Sequence, residues 1–127
     1  IASRACADLY DLEVIAEGIQ DAAFNYTRFI CISKDLEIFP DANKISITLS
    51  LPHKAGALAT IISKFASIDV NLTKLESRPI PGMDFEFRFV FDFEAKPTDS
   101  QMLCLLSELS QDPEIEHFDF LGAYVEK

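Results

Sequence analysis

Three short stretches of the chain carry groups that can bind or transform a small charged molecule. The first is the turn at 52–59, P-H-K-A-G-A-L-A, in which Gly56, Ala57 and Leu58 stand at the predicted start of a helix. Glycine lets the backbone approach a ligand closely, and the first N–H groups of a helix have no internal partner. The turn therefore predicts a carboxylate site, with a plain strand–helix connection as the alternative.

The second stretch is 71–79, N-L-T-K-L-E-S-R-P. The side-chain amide of Asn71 can accept a hydrogen bond from an ammonium group or donate one to a carboxylate. Glu76 and Arg78 flank Ser77 in a predicted strand, so their side chains share one face. The charged pair is expected to order a loop over a ligand or to lock a turn, and the alternative is a surface pair of little energetic value.

The third stretch places Thr27 and Arg28 in a predicted strand beside Phe29 and Ile30. An arginine can hold an anion through two parallel hydrogen bonds, and a threonine hydroxyl can donate a proton to a leaving oxygen. This pair predicts chemistry on a substrate with carboxylates. The alternative is a β-branched strand residue beside a solvated arginine.

The histidines and cysteines do not form a metal or redox motif. His53 and His117 are far apart and have no ligand partner at metal spacing, so we expect no metal ion and no other cofactor. His53 is expected in a solvated turn and His117 on a strand face toward water. Cys6, Cys31 and Cys104 are odd in number and form no C-x-x-C pair, which predicts buried free thiols in a reducing cytoplasm.

The elements that position these residues follow from the spacing of apolar side chains. The predicted elements are a helix at 2–10, a strand at 26–33, a strand at 45–51, a helix at 58–65, strands at 70–77 and 85–93, a helix at 102–109 and a strand at 115–125. From residue 44 onward the order is βαββαβ. This order is typical of the α+β ferredoxin-like fold, a four-stranded antiparallel sheet with two helices on one face. Val90 and Leu121 add apolar groups beyond the main face, so we expect a partner subunit or domain to cover them.

Composition excludes several classes of partner. The chain has 127 residues and a formal net charge of -10, which disfavours nucleic acid and anionic membrane surfaces. It contains no apolar run long enough for a membrane helix and no signal peptide at its start, so we expect a cytoplasmic protein. The first residue is Ile1 rather than methionine, and we therefore expect a piece of a longer chain.

The order of these stretches resembles the C-terminal part of prephenate dehydratase. Residues 1–21 and N-Y-T-R-F at 25–29 look like the end of the catalytic domain of that family. The segments S-L-P-H-K-A-G-A-L-A at 50–59 and N-L-T-K-L-E-S-R-P look like the ACT domain that follows it. The resemblance implies a catalytic-domain remnant at 1–33, a linker at 34–43 and an ACT regulatory domain at 44–127. Ala55, where relatives commonly have proline, and Ala59, at the end of the turn motif, depart from the family pattern.

The resemblance implies an activity for the longer protein. Prephenate dehydratase converts prephenate to phenylpyruvate, carbon dioxide and water on the route to phenylalanine. Thr27 matches the family's proton donor to the leaving hydroxyl, and Arg28 matches a contact to a substrate carboxylate. A segment of 33 residues is too small to build the catalytic cleft, so we expect the chain by itself to be inactive.

The resemblance also implies feedback regulation by L-phenylalanine. In the family this ligand binds between the ACT domains of a homodimer, and such dimers can pair into tetramers. The implied binding residues are Gly56, Ala57, Leu58, Asn71, Glu76, Ser77 and Arg78. The alternatives are a ligand-free structural dimerisation module and an ACT domain for another amino acid, such as tyrosine.

Overall fold

The computed structural model describes residues 1–22, 24, 26–83 and 86–126, which divide into two compact units, Ile1–Ile32 and Ser33–Lys127. The elements in chain order are α1 (Arg4–Tyr10), β1 (Lys44–Leu51), α2 (Ala57–Ser67), β2 (Asn71–Pro79), β3 (Phe87–Glu94), α3 (Ser100–Gln111) and β4 (His117–Tyr124). Each predicted element from residue 44 onward is present, with ends that differ by a few residues from the sequence pattern. Phe85, which the alternating phenylalanine pattern placed in a strand, lies outside the described residues.

The second unit is built on one antiparallel sheet with the strand order β2-β3-β1-β4. β1 lies in the centre and pairs with β3 on one side and with β4 on the other. The edge strands are β2 and β4. Together with the βαββαβ element order, this strand order confirms the predicted ferredoxin-like fold.

A single apolar core lies between the sheet and its two helices. Phe65 of α2 is fully buried, and its ring centroid is 5.7 Å from that of Phe91 and 5.0 Å from that of Phe93. Met102 and Leu109 of α3 are also fully buried in the same cluster. Both helices therefore pack on one sheet face, which is the face that the alternating apolar residues predicted. Burying a phenylalanine of this kind contributes about 1.5–3 kcal/mol to stability.

The opposite sheet face, here called the outer face, is mainly polar. The hydroxyl of Ser46 donates to the carboxylate of Asp92 at 2.6 Å, and Thr48 donates to Asp119 at 3.2 Å. Val90 lies on this face, as the alternation along β3 predicts, but it is opposite Thr48 and Glu76 in the register. Leu121 lies at the register shift of β4 and is 54% exposed. The two residues do not form a continuous apolar face among the described residues, and a partner that covers them stays a prediction.

The first unit lacks an apolar core among its described residues. α1 contains no buried residue, and Ile15, Phe29 and Ile32 are 97%, 87% and 92% exposed. The predicted strand at 26–33 is wrong, because these residues are exposed and have no strand neighbour with which to exchange backbone hydrogen bonds. β-branched and aromatic composition indicates strand preference, but a strand forms only where a second strand pairs with it.

The segment before β1 runs along the open side of β4. Ile38 forms a parallel bridge with Ala123, and the N–H of Asn43 donates to the carbonyl of Tyr124 at 3.1 Å. The side chain of Asn43 also bonds both the N–H and the carbonyl of Glu126. We call residues 38–43 together with Glu126 the edge cover. It occupies backbone groups at the edge of β4 that another strand would otherwise use.

Candidate functional site

The turn that precedes α2 leaves the start of that helix open. Gly56 adopts φ 86° and ψ −12°, a left-handed conformation that favours glycine. The first helical bond runs from the N–H of Thr60 to the carbonyl of Gly56 at 3.0 Å. No side chain in the described part of the chain caps the first turn, so the N–H groups of Leu58 and Ala59 are available to an outside acceptor. This geometry suits a carboxylate.

A small cavity of about 100 Å³ adjoins this turn. It is lined by Leu51, Pro52, His53, Lys54, Ala57, Leu58, Phe87 and Phe89. The aromatic and aliphatic side chains form an apolar wall, and Lys54 adds a cationic group that pairs with Glu114 at 2.5 Å. A carboxylate at the helix start and an apolar group against Phe87 and Phe89 would both be accommodated here.

β2 carries the second predicted stretch along the edge of the sheet. The amide of Asn71 donates to Glu94 at 2.9 Å, across the strand pair. Six residues separate Asn71 from Ser77, which corresponds to about 20 Å along a strand. Since Ser77 is opposite Phe89, the Ser77 end of β2 lies near the cavity and the Asn71 end lies far from it. One chain therefore does not bring Asn71 to the turn at Gly56.

The charged pair of the same stretch lies on the outer face. Glu76 accepts from Arg78 at 2.7 Å and pairs with Lys74 at 2.9 Å. Hydrogen bonds from Lys74 and then from Arg78 lower the pKa of the Glu76 carboxyl group below its ordinary value. Glu76 is opposite Val90, so this pair and the turn at Gly56 occupy opposite faces of the sheet. Sequence spacing correctly placed Glu76 and Arg78 on one face but could not tell which face it was.

The third stretch lies in the first unit. Thr27 and Arg28 are exposed in a segment without regular secondary structure, and Asn25 of the same motif lies outside the described residues. Irregular exposed backbone does not hold two side chains in a defined geometry. The described residues of this unit therefore supply no preformed catalytic cleft.

The thiols and histidines are placed as follows. Cys6, Cys31 and Cys104 are free, but the expectation that they are buried is wrong, because Cys6 is only partly buried and the other two are exposed. Cys104 lies on α3 between the buried Met102 and Leu105, so helical rotation turns it toward solvent.

The two histidines lie at the surface. His53 and His117 are both exposed. Among the described residues, no three histidine, cysteine, aspartate or glutamate side chains cluster as metal ligands would.

A second, larger depression lies between α2 and α3 of the second unit, which we call the sheet domain. Its volume is about 430 Å³, and its lining includes Lys64 of α2 and Cys104 of α3. Lys64 bridges the helices by pairing with Glu108 at 2.6 Å and Asp112 at 3.0 Å. This groove is not visible in the sequence, because it depends on how two helices far apart in sequence pack together.

The fold and the open helix start define an ACT-like ferredoxin domain. In the described part of the chain, none of the helices is long and apolar enough to cross a membrane.

Comparison with known proteins relates the chain to the prephenate dehydratases. The prephenate dehydratase family model matches residues 1–37. The prephenate dehydratase of Lactococcus lactis subsp. cremoris is 42% identical over 105 residues, which cover 79% of this chain and 37% of that protein. The bifunctional chorismate mutase/prephenate dehydratase of Neisseria gonorrhoeae is 32% identical over 111 residues, which cover 87% of this chain and 31% of that protein.

A solved structure agrees with this relationship. The prephenate dehydratase of Arthrobacter aurescens in complex with L-Phe has a TM-score of 0.61 and 32% sequence identity, and the match covers 74% of this chain and 30% of that one. The chain spans about a third of the length of the curated relatives it matches. The resemblance seen in the sequence is thereby confirmed, since the chain is similar to prephenate dehydratases over most of its own length.

Proposed function

We propose that the sheet domain is the L-phenylalanine-binding regulatory part of a longer prephenate dehydratase. The observation that carries this proposal is the open N-terminus of α2 at Gly56, beside a cavity with an apolar wall. Free N–H groups and the positive end of the helix dipole suit the ligand carboxylate. Phe87, Phe89 and the wall around them suit an aromatic ring. The related Arthrobacter aurescens protein was solved in complex with L-Phe, which supports the choice of ligand.

The size of the cavity supports a site completed by a second chain. Its volume of about 100 Å³ is well below the roughly 300 Å³ at which small-molecule pockets usually begin. Asn71, which the family resemblance assigns to the ligand, lies at the other end of β2. Both facts are accounted for if one subunit supplies the turn and its partner supplies Asn71.

The two sheet edges favour a particular dimer. The edge cover occupies β4, whereas no strand in the described part of the chain pairs with the outer edge of β2. A two-fold axis near Leu75 would pair two β2 strands in antiparallel fashion. The Asn71 end of one strand would then meet the Pro79 end of the other. This arrangement brings the Asn71 end of one strand to the turn end of its partner, so the distance of about 20 Å along one strand no longer separates them.

Regulation follows if binding favours one of two arrangements of the longer protein. A ligand shifts an equilibrium only by as much as its affinities for the two states differ. Phenylalanine that binds across two subunits stabilises the dimer state in which both halves of the site meet. Dehydratase activity belongs to the longer protein, and we expect residues 1–33, with Thr27 and Arg28, to be inactive alone.

The test is calorimetric titration of the chain with L-phenylalanine, with L-tyrosine as the comparison ligand. We expect saturable heat near one ligand per subunit for L-phenylalanine and a much weaker response to L-tyrosine. Asn71→Ala should abolish the heat. Glu94→Gln is the matched control, because it removes the carboxylate partner of Asn71 and leaves the amide in place.

Two outcomes would replace the proposal. A folded dimer that binds neither amino acid would identify a structural dimerisation module, which the bare β2 edge also favours. A stronger response to L-tyrosine would identify an ACT domain for that amino acid. Sedimentation velocity on the same samples establishes whether the dimer is present in each case.

A further inference from the structure

Four residues form a single row across the outer face at one end of the sheet. The register places Arg78 of β2 opposite Arg88 of β3, Arg88 opposite Ser50 of β1, and Ser50 opposite His117 of β4. We call these four residues the end row. Two arginines directly opposite each other repel, so this pairing is unfavourable unless an anion lies nearby.

Ser50 lies in the middle of the end row, and its side-chain hydroxyl has no hydrogen-bond partner among the described residues. Its residue is 1% exposed, and its hydroxyl oxygen is the buried side-chain atom in the described residues that lacks any partner. A buried hydroxyl without a partner destabilises the fold, because it has lost its hydrogen bonds to water. The other two hydroxyl groups of β1 on this face are satisfied, because Ser46 bonds Asp92 and Thr48 bonds Asp119. The end row is therefore the place on this face where a hydrogen bond is missing.

Among the described residues, Glu76 neutralises Arg78, but acidic groups do not pair with Arg88 or His117 of the end row. Glu76 is engaged by Lys74 and Arg78 together. Asp119, two residues from His117, accepts from Thr48. Within the described ranges, the guanidinium of Arg88 has no carboxylate within 4.0 Å. In a chain of net charge -10, Arg88 and His117 flank an unsatisfied hydroxyl, and neither has an acidic partner among the described residues.

We propose that Arg88, Ser50 and His117 bind a small oxyanion, either a carboxylate or a phosphate-type group. The guanidinium of Arg88 offers a planar pair of donors, a protonated His117 adds a charged donor, and Ser50 adds a hydroxyl. Arg88 is long and exposed, so its side chain can move around the anion and open access to the Ser50 hydroxyl. Arg78 adds positive charge but is held by Glu76.

This oxyanion site is separate from the phenylalanine site proposed above. The end row lies on the outer face, whereas the turn at Gly56 and its cavity lie against Phe87 and Phe89 on the helix face. Each site can therefore fail its own test without affecting the other. The sequence did not reveal the end row, because its members come from four strands whose register is not visible in the sequence.

The test uses nuclear magnetic resonance of the two histidine rings in the whole chain. Sodium sulfate and sodium succinate are titrated separately at mildly acidic pH, against sodium chloride at equal ionic strength. We expect saturable shifts of the His117 ring signals with the anion that binds, and no saturable shift of these signals with sodium chloride. A response to sulfate alone assigns a phosphate-type ligand, and a response to succinate alone assigns a carboxylate.

Variants separate binding from general charge effects. Arg88→Gln should weaken anion affinity about tenfold or more, since a hydrogen bond to a charged group is worth about 1.5–3 kcal/mol. Arg4→Gln removes the same charge from the first unit and should leave affinity unchanged. Ser50→Ala should lower affinity about threefold to tenfold while leaving the unfolding free energy equal or higher, because it removes an unsatisfied hydroxyl.

Three results would overturn the proposal. One is the lack of a saturable shift at His117 with either anion. Another is an equal shift of the His117 ring signals with sodium chloride, which indicates ionic screening rather than a site. The third is an Arg88→Gln variant with unchanged affinity.

Discussion

The two βαβ halves of the sheet domain share one core but differ at their surfaces. In β1–α2–β2, the helix begins at a left-handed Gly56 and no described side chain caps it. In β3–α3–β4, the carboxylate of Asp99 accepts from the N–H of Gln101 at 2.9 Å and closes the helix start. A capped helix start satisfies its own donors, whereas an uncapped one leaves them for another molecule.

The edge strands of the two halves differ in the same way as the helix starts, because the second half is again the one closed by its own chain. β4 is protected by the edge cover, with Asn43 and Lys44 both bonded to Glu126. The outer edge of β2 is not paired with any described strand. The second half is thus closed by contacts within the chain, and the first half keeps its helix start and its edge available. The proposed phenylalanine site and the proposed dimer contact are therefore both placed in the first half.

The largest expected loss of stability comes from removing the carboxylate of Glu126, which pairs with Lys44 in the edge contacts of β4. Lys44 is buried, with 5% of its side chain exposed, and Glu126 is its carboxylate partner. Removing one partner of a buried ion pair leaves an uncompensated charge. Because Glu126 is partly exposed, we expect Glu126→Gln to lower the free energy of unfolding by about 1–3 kcal/mol. Urea unfolding of the whole chain measures this loss.

Glu116→Gln is the matched control, because it removes one exposed carboxylate near β4 outside the edge cover. Amide hydrogen exchange in the Glu126→Gln variant should quicken in β4 more than in β2. If β2 exchanges faster instead, the assignment of the closed and open halves is wrong.

An intermediate effect is expected at the two helix starts. Asp99→Ala removes a side-chain cap and should cost about 1 kcal/mol. Gly56→Ala should cost about 1–2 kcal/mol, because alanine is disfavoured in the left-handed conformation, although the added methyl group meets no atom within 4 Å. Urea unfolding gives both losses. Only Gly56→Ala should weaken L-phenylalanine binding in calorimetry, and an equal loss of binding in Asp99→Ala would contradict the contrast between the helices.

The smallest effect concerns the ion pairs that join the two halves. The N–H of Glu114 and then the ammonium of Lys64 hold the pKa of Asp112 below its ordinary value. A lowered folded-state pKa gives stability that is present above the ordinary aspartate pKa and is lost as pH falls through the folded-state value. Asp112→Asn should therefore reduce the loss of stability on acidification, measured by urea unfolding at a series of acidic pH values.

Asp69→Asn is the control for this experiment, since it removes an exposed carboxylate that forms no ion pair in the described part of the chain. Hydrogen bonds from Lys64 to Glu108 and then to Asp112 raise the pKa of Lys64. Its contribution is therefore present below the ordinary lysine pKa and is lost as pH rises through the raised value. If the free energy of unfolding falls equally at acidic pH in Asp112→Asn and in the original chain, the bridge between Lys64 and Asp112 does not stabilise the contact between the two halves.

Much of the second unit was predictable from local patterns. Alternating apolar residues in β1 and β3 and helical spacing around Phe65 and Leu105 indicated the correct elements in the correct order. Pro113 correctly marked the end of α3, which stops at Gln111. These predictions were correct because the apolar side chains of every element face one common core. The spacing of apolar residues along the sequence therefore matches the side on which they are buried.

The errors arose where long-range partners decide the structure. Strand composition at 26–33 produced no strand, since no partner strand is present beside these described residues. Cys31 and Cys104 were expected inside and are exposed. Val90 and Leu121 indicated surplus apolar surface, but the register places Val90 opposite the polar Thr48 and Glu76 on the outer face.

The sequence by itself determined the βαββαβ order, the apolar face of each element, the glycine turn before α2 and the family resemblance. These depend on side-chain period and on local backbone preference, both of which are properties of neighbouring residues. Only the tertiary structure decided that Arg78, Arg88, Ser50 and His117 form one row, that Glu76 lies away from the turn, and that β4 is covered while β2 is bare. Strand register and edge protection depend on which distant segments exchange hydrogen bonds, and no local pattern encodes that choice.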